Sequence, residues 1–292
     1  MQHENHSHTG GQPSLAVHLI MLGVVLLVLG GLYLLFRSAA SLGLGLLALG
    51  IVIAVLTLSR GFLRDVLVKM HTPPAAHERD AQGNLKTEGL TINWASTYDW
   101  LVGFLFFGGE QKLREAFVRL AGIRPGDKVL DVGCGTGTQA IIASLKSDPS
   151  VQVYGIDAAP EMIAKARQKA ARAGAKVDFK PGLVEAIDFP PASLDVVMNS
   201  FMVHHLPGEL KRKAFAEIYR VLKPGGRLLI IDFEPPKGGL TRAFLTLLLG
   251  QGMLTIDNSQ VPPLLQAAGF VSVKSGNAGH KLATYMLGEK PR

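Results

Sequence analysis

Nine consecutive residues bring chemistry-bearing types into close spacing: Val129-Leu130-Asp131-Val132-Gly133-Cys134-Gly135-Thr136-Gly137. An apolar run leads into alternating glycines, the composition of a strand that turns sharply and leaves its backbone open to a ligand. Asp131 stands just before the turn, and Asp157 follows Gly137 by 20 residues. A carboxylate there, closing the next strand, can accept both hydroxyl hydrogens of a ribose. A dinucleotide-binding turn would carry a third glycine where Thr138 stands, and Asp131 would repel a pyrophosphate. The same carboxylate attracts a ligand that bears an ammonium and a sulfonium.

The elements that must position these residues follow a βα rhythm. Strand candidates are residues 128–132, 151–157, 175–180, 194–200 and 227–233, and helical patterns fill 138–145, 160–173 and 208–222. Such alternation predicts an α/β domain with a parallel sheet and helices on both faces, its ligands at the carboxyl ends of the strands.

The first 60 residues have another character. Residues 15–36 form a run without charged side chains, Arg37 and Ser38 interrupt, and residues 39–58 form a second run. At about 1.5 Å per residue each spans roughly 30 Å, the thickness of a bilayer core. Two spans with almost no loop predict a transmembrane hairpin. A cleaved signal peptide is disfavoured, because residues 1–14 lack Lys and Arg and the apolar run exceeds the usual 7 to 15 residues. Arg60, Arg64, Lys69, Arg79 and Lys86 follow the second span, against Arg37 alone in the loop, which sets the remainder of the chain on the cytoplasmic side.

Residues 61–71 place Phe62, Leu63, Val66, Leu67 and Met70 on one helical face. This segment reads equally as an interfacial helix or as a linker helix packed on the domain. The expected organisation is a polar tail over 1–14, the hairpin over 15–60, an interfacial helix and linker over 61–92, and a catalytic domain over 93–292. His3, His6 and His8 read as part of a solvated tail, and no metal site is expected. The formal charge of +7 suits nucleic acid or an anionic membrane surface, and without basic clusters interleaved with aromatics the membrane is favoured. Cys134 is the one cysteine, so no internal disulfide forms.

Five stretches together carry a resemblance: YDW at Tyr98, VLDVGCGTG, VYGIDAAPEMIAKAR, SFMVHHLP and EIYRVLKPGGRLLIIDF. Over about residues 93–289 the chain resembles class I S-adenosylmethionine-dependent methyltransferases, on the branch of ubiquinone/menaquinone and phospholipid methyltransferases. The resemblance implies a Rossmann-like seven-stranded sheet with the last strand antiparallel, its final strands at residues 270–273 and 282–287. It implies S-adenosylmethionine as cofactor. Gly133, Cys134, Gly135 and Gly137 would cradle the amino-acid part, with Asp131 nearby. Asp157 would hold the ribose, Ala158 and Met162 would border the adenine, and Asn199 and Ser200 would lie beside the transferring methyl. The family often has Gly-Asp-Ala after the third strand, where this chain has Gly182-Leu183-Val184 and then Glu185. The substitution removes a side-chain contact to the adenine and leaves a backbone contact from Val184.

His204 is a candidate base for an acceptor proton, whereas His205 reads as a residue that shapes the pocket. Cys134 has no nucleophilic task, since methyl transfer needs no covalent enzyme intermediate. Tyr98, Phe104 and Phe106 are candidate acceptor-side residues, and the apolar runs 101–107 and 244–249 are candidate caps over the site. Caps of this kind on a bilayer-held enzyme predict a lipid or quinone-like acceptor, with the enzyme seated in a bacterial inner membrane. Two alternatives stand beside it: methylation of small hydrophobic thiols or xenobiotics, and a non-catalytic membrane adaptor on a methyltransferase-like scaffold. The acceptor atom and the oligomeric state are not fixed by these residues.

Overall fold

The computed structural model describes Leu85, Thr87, residues 110–239, Arg242 and residues 256–292. The two uncharged runs, the 61–71 segment, Tyr98, Phe104, Phe106 and the 244–249 run lie outside the described residues. Among the described residues no helix is long and apolar enough to cross a membrane.

Helix α1 (Glu110–Ala121) leads into β1 (Lys128–Val132), α2 (Thr138–Lys146), β2 (Gln152–Asp157), α3 (Pro160–Ala173) and β3 (Val177–Pro181). The second half runs through β4 (Leu194–Ser200), a 3-10 turn (Val203–His205), α4 (Gly208–Val221) and β5 (Leu222–Phe233). A 3-10 turn (Asn258–Gln260), α5 (Val261–Ala267), β6 (Val271–Asn277) and β7 (Ala283–Glu289) follow. The strands form one sheet in the order β3-β2-β1-β4-β5-β7-β6. β1 to β5 pair in parallel, and β7 runs antiparallel to both β5 and β6.

The central strands are apolar on both faces because helices cover both. Val129, Val196, Met198, Leu229 and Ile231 pack with Phe117, Ala140, Ile163 and Ala166 of α1 to α3. Leu130, Val132, Val197, Leu228 and Ile230 pack on the other face with Phe215 and Ile218 of α4 and Leu265 of α5. Buried alternation of this kind is what parallel strands require. Helix α3 shows its limits in sequence, with Pro160 in its first turn and Gly174 in the left-handed conformation at its C-cap.

The sheet matches the expected class, with two boundaries shifted by more than two residues. β5 begins at Leu222, five residues before the expected start, and takes in Lys223-Pro224-Gly225-Gly226. That stretch has a turn composition, but the Gly225 N–H donates to the Lys290 carbonyl and the Lys290 N–H donates to the Gly226 carbonyl, which ties it to the end of β7. β6 runs on to Asn277, beyond the apolar residues 270–273, because it is an edge strand with mostly exposed side chains and its polar residues pair with β7.

Candidate functional site

The order β2-β1-β4 places the topological switch between β1 and β4, and the residues that end these strands form the site. β1 delivers Asp131 and the glycine turn. Gly133, Gly135 and Gly137 have φ of 66°, 53° and 78°, a region that side chains disfavour. Close packing adds a second requirement. A Cβ on Gly133 would lie 2.7 Å from Met202 Cγ, and one on Gly137 would lie 2.6 Å from Phe179 Cζ. Backbone bonds hold the turn: the Cys134 N–H donates to the Ile156 carbonyl of β2, and within the turn the Gly137 N–H donates to the Cys134 carbonyl.

Asp157 ends β2 and reaches back to this turn. Its Oδ2 accepts the Gly135 N–H at 2.8 Å, and its Oδ1 accepts the Ala159 N–H at 2.9 Å. Burial pushes the Asp157 carboxyl up, and the two amides oppose that shift. Each oxygen keeps a further lone pair for a ligand hydroxyl.

Asp131 is fully buried, and neither of its oxygens has a hydrogen-bond partner among the described residues. The Ala140 N–H and the Arg114 guanidinium lie near enough to lower its pKa without closing a bond to it. Burial prevails and pushes the carboxyl up to about 7, with the Asp157 charge adding to the rise. Two carboxylates thus stand close together, one of them short of a partner. A cation completes such a site and a pyrophosphate does not. The buried, unpartnered Asp131 and the side-chain-free turn fit the ammonium and amino-acid part of S-adenosylmethionine, and Asp157 fits its ribose.

Ala158 is half-buried at the end of β2, and Met162 is buried in the first turn of α3. Val184 is buried, and Leu183 pairs with Ala186 in a small bridge after β3. Glu185, next in line, accepts a hydrogen bond from Thr87 through Oε1 at 2.5 Å, while its buried Oε2 has no partner among the described residues. Burial pushes the Cys134 thiol well up, so it stays protonated at neutral pH.

Asn199 and Ser200 close β4. The Asn199 Nδ2 donates to the Val132 carbonyl at 2.7 Å, bracing the ends of the two central strands. Its side chain looks toward Val203, Phe215 and Ile218, the face opposite Asp131, and among the described residues its buried Oδ1 has no partner.

His204 sits in the 3-10 turn beyond β4, with its side chain 7% exposed. Its Nδ1 lies 2.5 Å from Asp232 Oδ1, and its backbone N–H donates to Asp232 Oδ2 at 3.0 Å. The His205 ring lies against it, tilted by 49°, at 3.9 Å between centroids. Sequence reasoning missed Asp232, which reads there as one residue of an apolar strand, and Arg114, which lies outside every motif. It also missed Lys169, whose Nζ donates to Thr136 Oγ1 at 3.0 Å and Thr138 Oγ1 at 2.6 Å, bracing the glycine turn from α3.

Strand order, glycine turn and the acidic end of β2 define a class I methyltransferase fold. Comparison with known proteins agrees. A family model described as a methyltransferase domain matches residues 129–226. Demethylmenaquinone methyltransferase of Thermus thermophilus is 37% identical over 145 residues, 50% of this chain and 64% of that protein. The enzyme of the same name from Deinococcus radiodurans is 34% identical over 175 residues, 60% of this chain and 70% of that protein. The chain thus spans about two thirds of the length of these relatives. The crystal structure of a SAM-dependent methyltransferase from Aquifex aeolicus superposes with a TM-score of 0.52 at 26% identity, covering 67% of this chain and 97% of that one. The chain belongs to the S-adenosylmethionine-dependent methyltransferases, and S-adenosylmethionine is its cofactor.

Proposed function

We propose that this protein is a membrane-held methyltransferase that moves the methyl group to a hydrophobic acceptor, a lipid or quinone-like molecule taken from the bilayer. One combination carries the reading. Two uncharged runs long enough to span a bilayer precede a domain whose relatives bear the name demethylmenaquinone methyltransferase. An acceptor drawn from the bilayer need not cross water, and its tail contributes binding energy that orients the reacting head.

When bound, S-adenosylmethionine supplies a methyl group already activated by its sulfonium. The protein's part is to hold donor and acceptor in line and to exclude water. Asp131 would hold the amino group and Asp157 the ribose hydroxyls, and the glycine turn would let the backbone approach. An enol carbon or a phenol sheds a proton as it is methylated, and His204 accepts that proton. A thiolate acceptor has no such proton, so a histidine two residues from Met202, which packs on the glycine turn, favours the lipid or quinone reading over the thiol one. Intact Asp131, glycine turn and Asp157 speak against a non-catalytic adaptor.

The test gives labelled cofactor and total membrane lipids to full-length protein and to a fragment starting at residue 89. Full-length protein labels lipid faster, and Phe106→Asp lowers that labelling while leaving cofactor affinity near wild type. Equal methylation of small soluble thiols by both, with lipid unlabelled, would replace this reading with the thiol one.

A further inference from the structure

The geometry points to Asp232 as the positioning residue of the base: it fixes the tautomer and aim of His204 so that Nε2 faces its task as a proton acceptor. This inference rests on the proposed role of His204 and assigns a task to a residue to which the resemblance gave none.

Asp232 is fully buried near the carboxyl end of β5, 28 residues from its partner. Both of its oxygens are committed. Oδ2 accepts the backbone N–H of His204 at 3.0 Å, and Oδ1 takes the imidazole Nδ1 at 2.5 Å together with the Phe233 N–H at 2.8 Å. One carboxylate therefore holds the histidine at two points, its backbone and its ring. Despite complete burial, the Asp232 carboxyl stays below its ordinary range, because His204 and the Phe233 amide outweigh the burial that would raise it. An ionised partner can only accept, so the bond's hydrogen sits on Nδ1, and the neutral ring that acts as a base has its lone pair on Nε2.

The chain is bent to reach this arrangement. Phe201, the first residue beyond β4, has φ of 55°, a left-handed conformation that a bulky side chain adopts at a cost. Its N–H still donates to the Ile231 carbonyl at 2.8 Å, which keeps the turn against β5. Met202 then lies on Gly133 of the cofactor turn, and His204 follows two residues later. The same short segment thus touches the cofactor turn with Met202 and Asp232 with His204. Local strain that sets one side chain beside a reaction site is a functional signature.

In the step this implies, the acceptor's bond to the methyl carbon forms as the carbon–sulfur bond of the donor breaks, and the electron pair of that bond stays on sulfur. The acceptor's proton passes to His204 Nε2. The imidazolium is stabilised by the Asp232 carboxylate, and the proton later leaves to solvent. No oxidant or reductant enters.

The test uses full-length protein with labelled histidine. Wild type shows a proton resonance for the Nδ1–H far downfield of the amide envelope, and both His204→Gln and Asp232→Asn abolish it. Asp232→Asn lowers kcat for lipid methylation by about 100-fold or more, the scale of a general base. The acceptor KM and the affinity for S-adenosylhomocysteine stay within about threefold of wild type, since the group acts in the transition state alone. Asp232→Glu, which keeps the charge, binds S-adenosylhomocysteine and recovers part of kcat, so a folding failure of the Asn variant does not decide the matter. Wild-type kcat in Asp232→Asn, or no downfield resonance in the wild type, overturns the positioning role and leaves the methyltransferase reading standing. Absence of methyl transfer by wild type to any lipid overturns the proposed function and the base with it.

Discussion

The Asp157 carboxylate is bonded to the Gly135 N–H at 2.8 Å, so the residue that ends β2 also holds the glycine turn that follows β1. Its second oxygen holds the start of the segment leading into α3 through the Ala159 N–H. One side chain thus shapes the glycine turn and keeps a further lone pair on each oxygen.

Asp157→Ala therefore acts twice. Calorimetry with S-adenosylhomocysteine should show affinity lower by about 1 to 3 kcal/mol, the scale of losing a charged hydrogen-bond partner. Thermal melting without ligand should show a lower Tm, because two backbone donors lose their acceptor. An unchanged Tm would mean that the turn holds itself.

Asp131 predicts a pH dependence. Its folded-state pKa of about 7 lies above the ordinary 3.8, so between these values the ligand-free protein holds a proton that the unfolded chain has released. The group's contribution to stability is full below about pH 4 and is lost as pH rises through 7. A bound ammonium reverses the preference and favours the ionised carboxylate. S-adenosylhomocysteine should then bind about tenfold more weakly at pH 6 than at pH 8. Asp131→Asn should flatten that dependence as well as weaken binding, and a dependence that survives in this variant would assign it to another group.

Two glycines should respond in opposite directions. Gly137→Ala puts a methyl 2.6 Å from Phe179 and 2.8 Å from Ala166 at φ of 78°, and should cost roughly 1 to 3 kcal/mol of stability as overpacking. Gly208 opens α4 with nothing within 4 Å of an added Cβ, and Gly208→Ala should stabilise by about 0.5 kcal/mol. Melting curves of the two variants decide, and a stabilised Gly137→Ala would contradict the packing described for the turn.

The anchor has its own test. Full-length protein should stay in the membrane pellet after an alkaline carbonate wash, as a spanning hairpin requires. Recovery in the supernatant would remove the hairpin from the account.

The central sheet was legible because its signals are local. Residues 128–132 and 194–200 are apolar runs bounded by turn residues, and they appear as β1 and β4 with the same limits. The start of β5 was not, since Pro224, Gly225 and Gly226 signal a turn and only pairing with the distant Lys290 makes them strand. Within the site, the glycine turn and the two aspartates could be read from their spacing along the chain. Asp232 lies in the fifth resembling stretch, but its task could not be read, because its partner is 28 residues away along the chain. Asn199 shows the converse: its position was read correctly, but the side of the sheet it faces depends on strand register, which fixes it toward α4.

Product analysis tests the central claim most directly. Membranes holding the full-length protein are given S-adenosylmethionine labelled in the methyl group, and the products are separated into lipid-soluble and water-soluble fractions. The account predicts label in one lipid-soluble product, lost in Asp157→Ala and strongly reduced in His204→Gln. Label confined to small water-soluble thiols, or label in lipid that is indifferent to both substitutions, would contradict it.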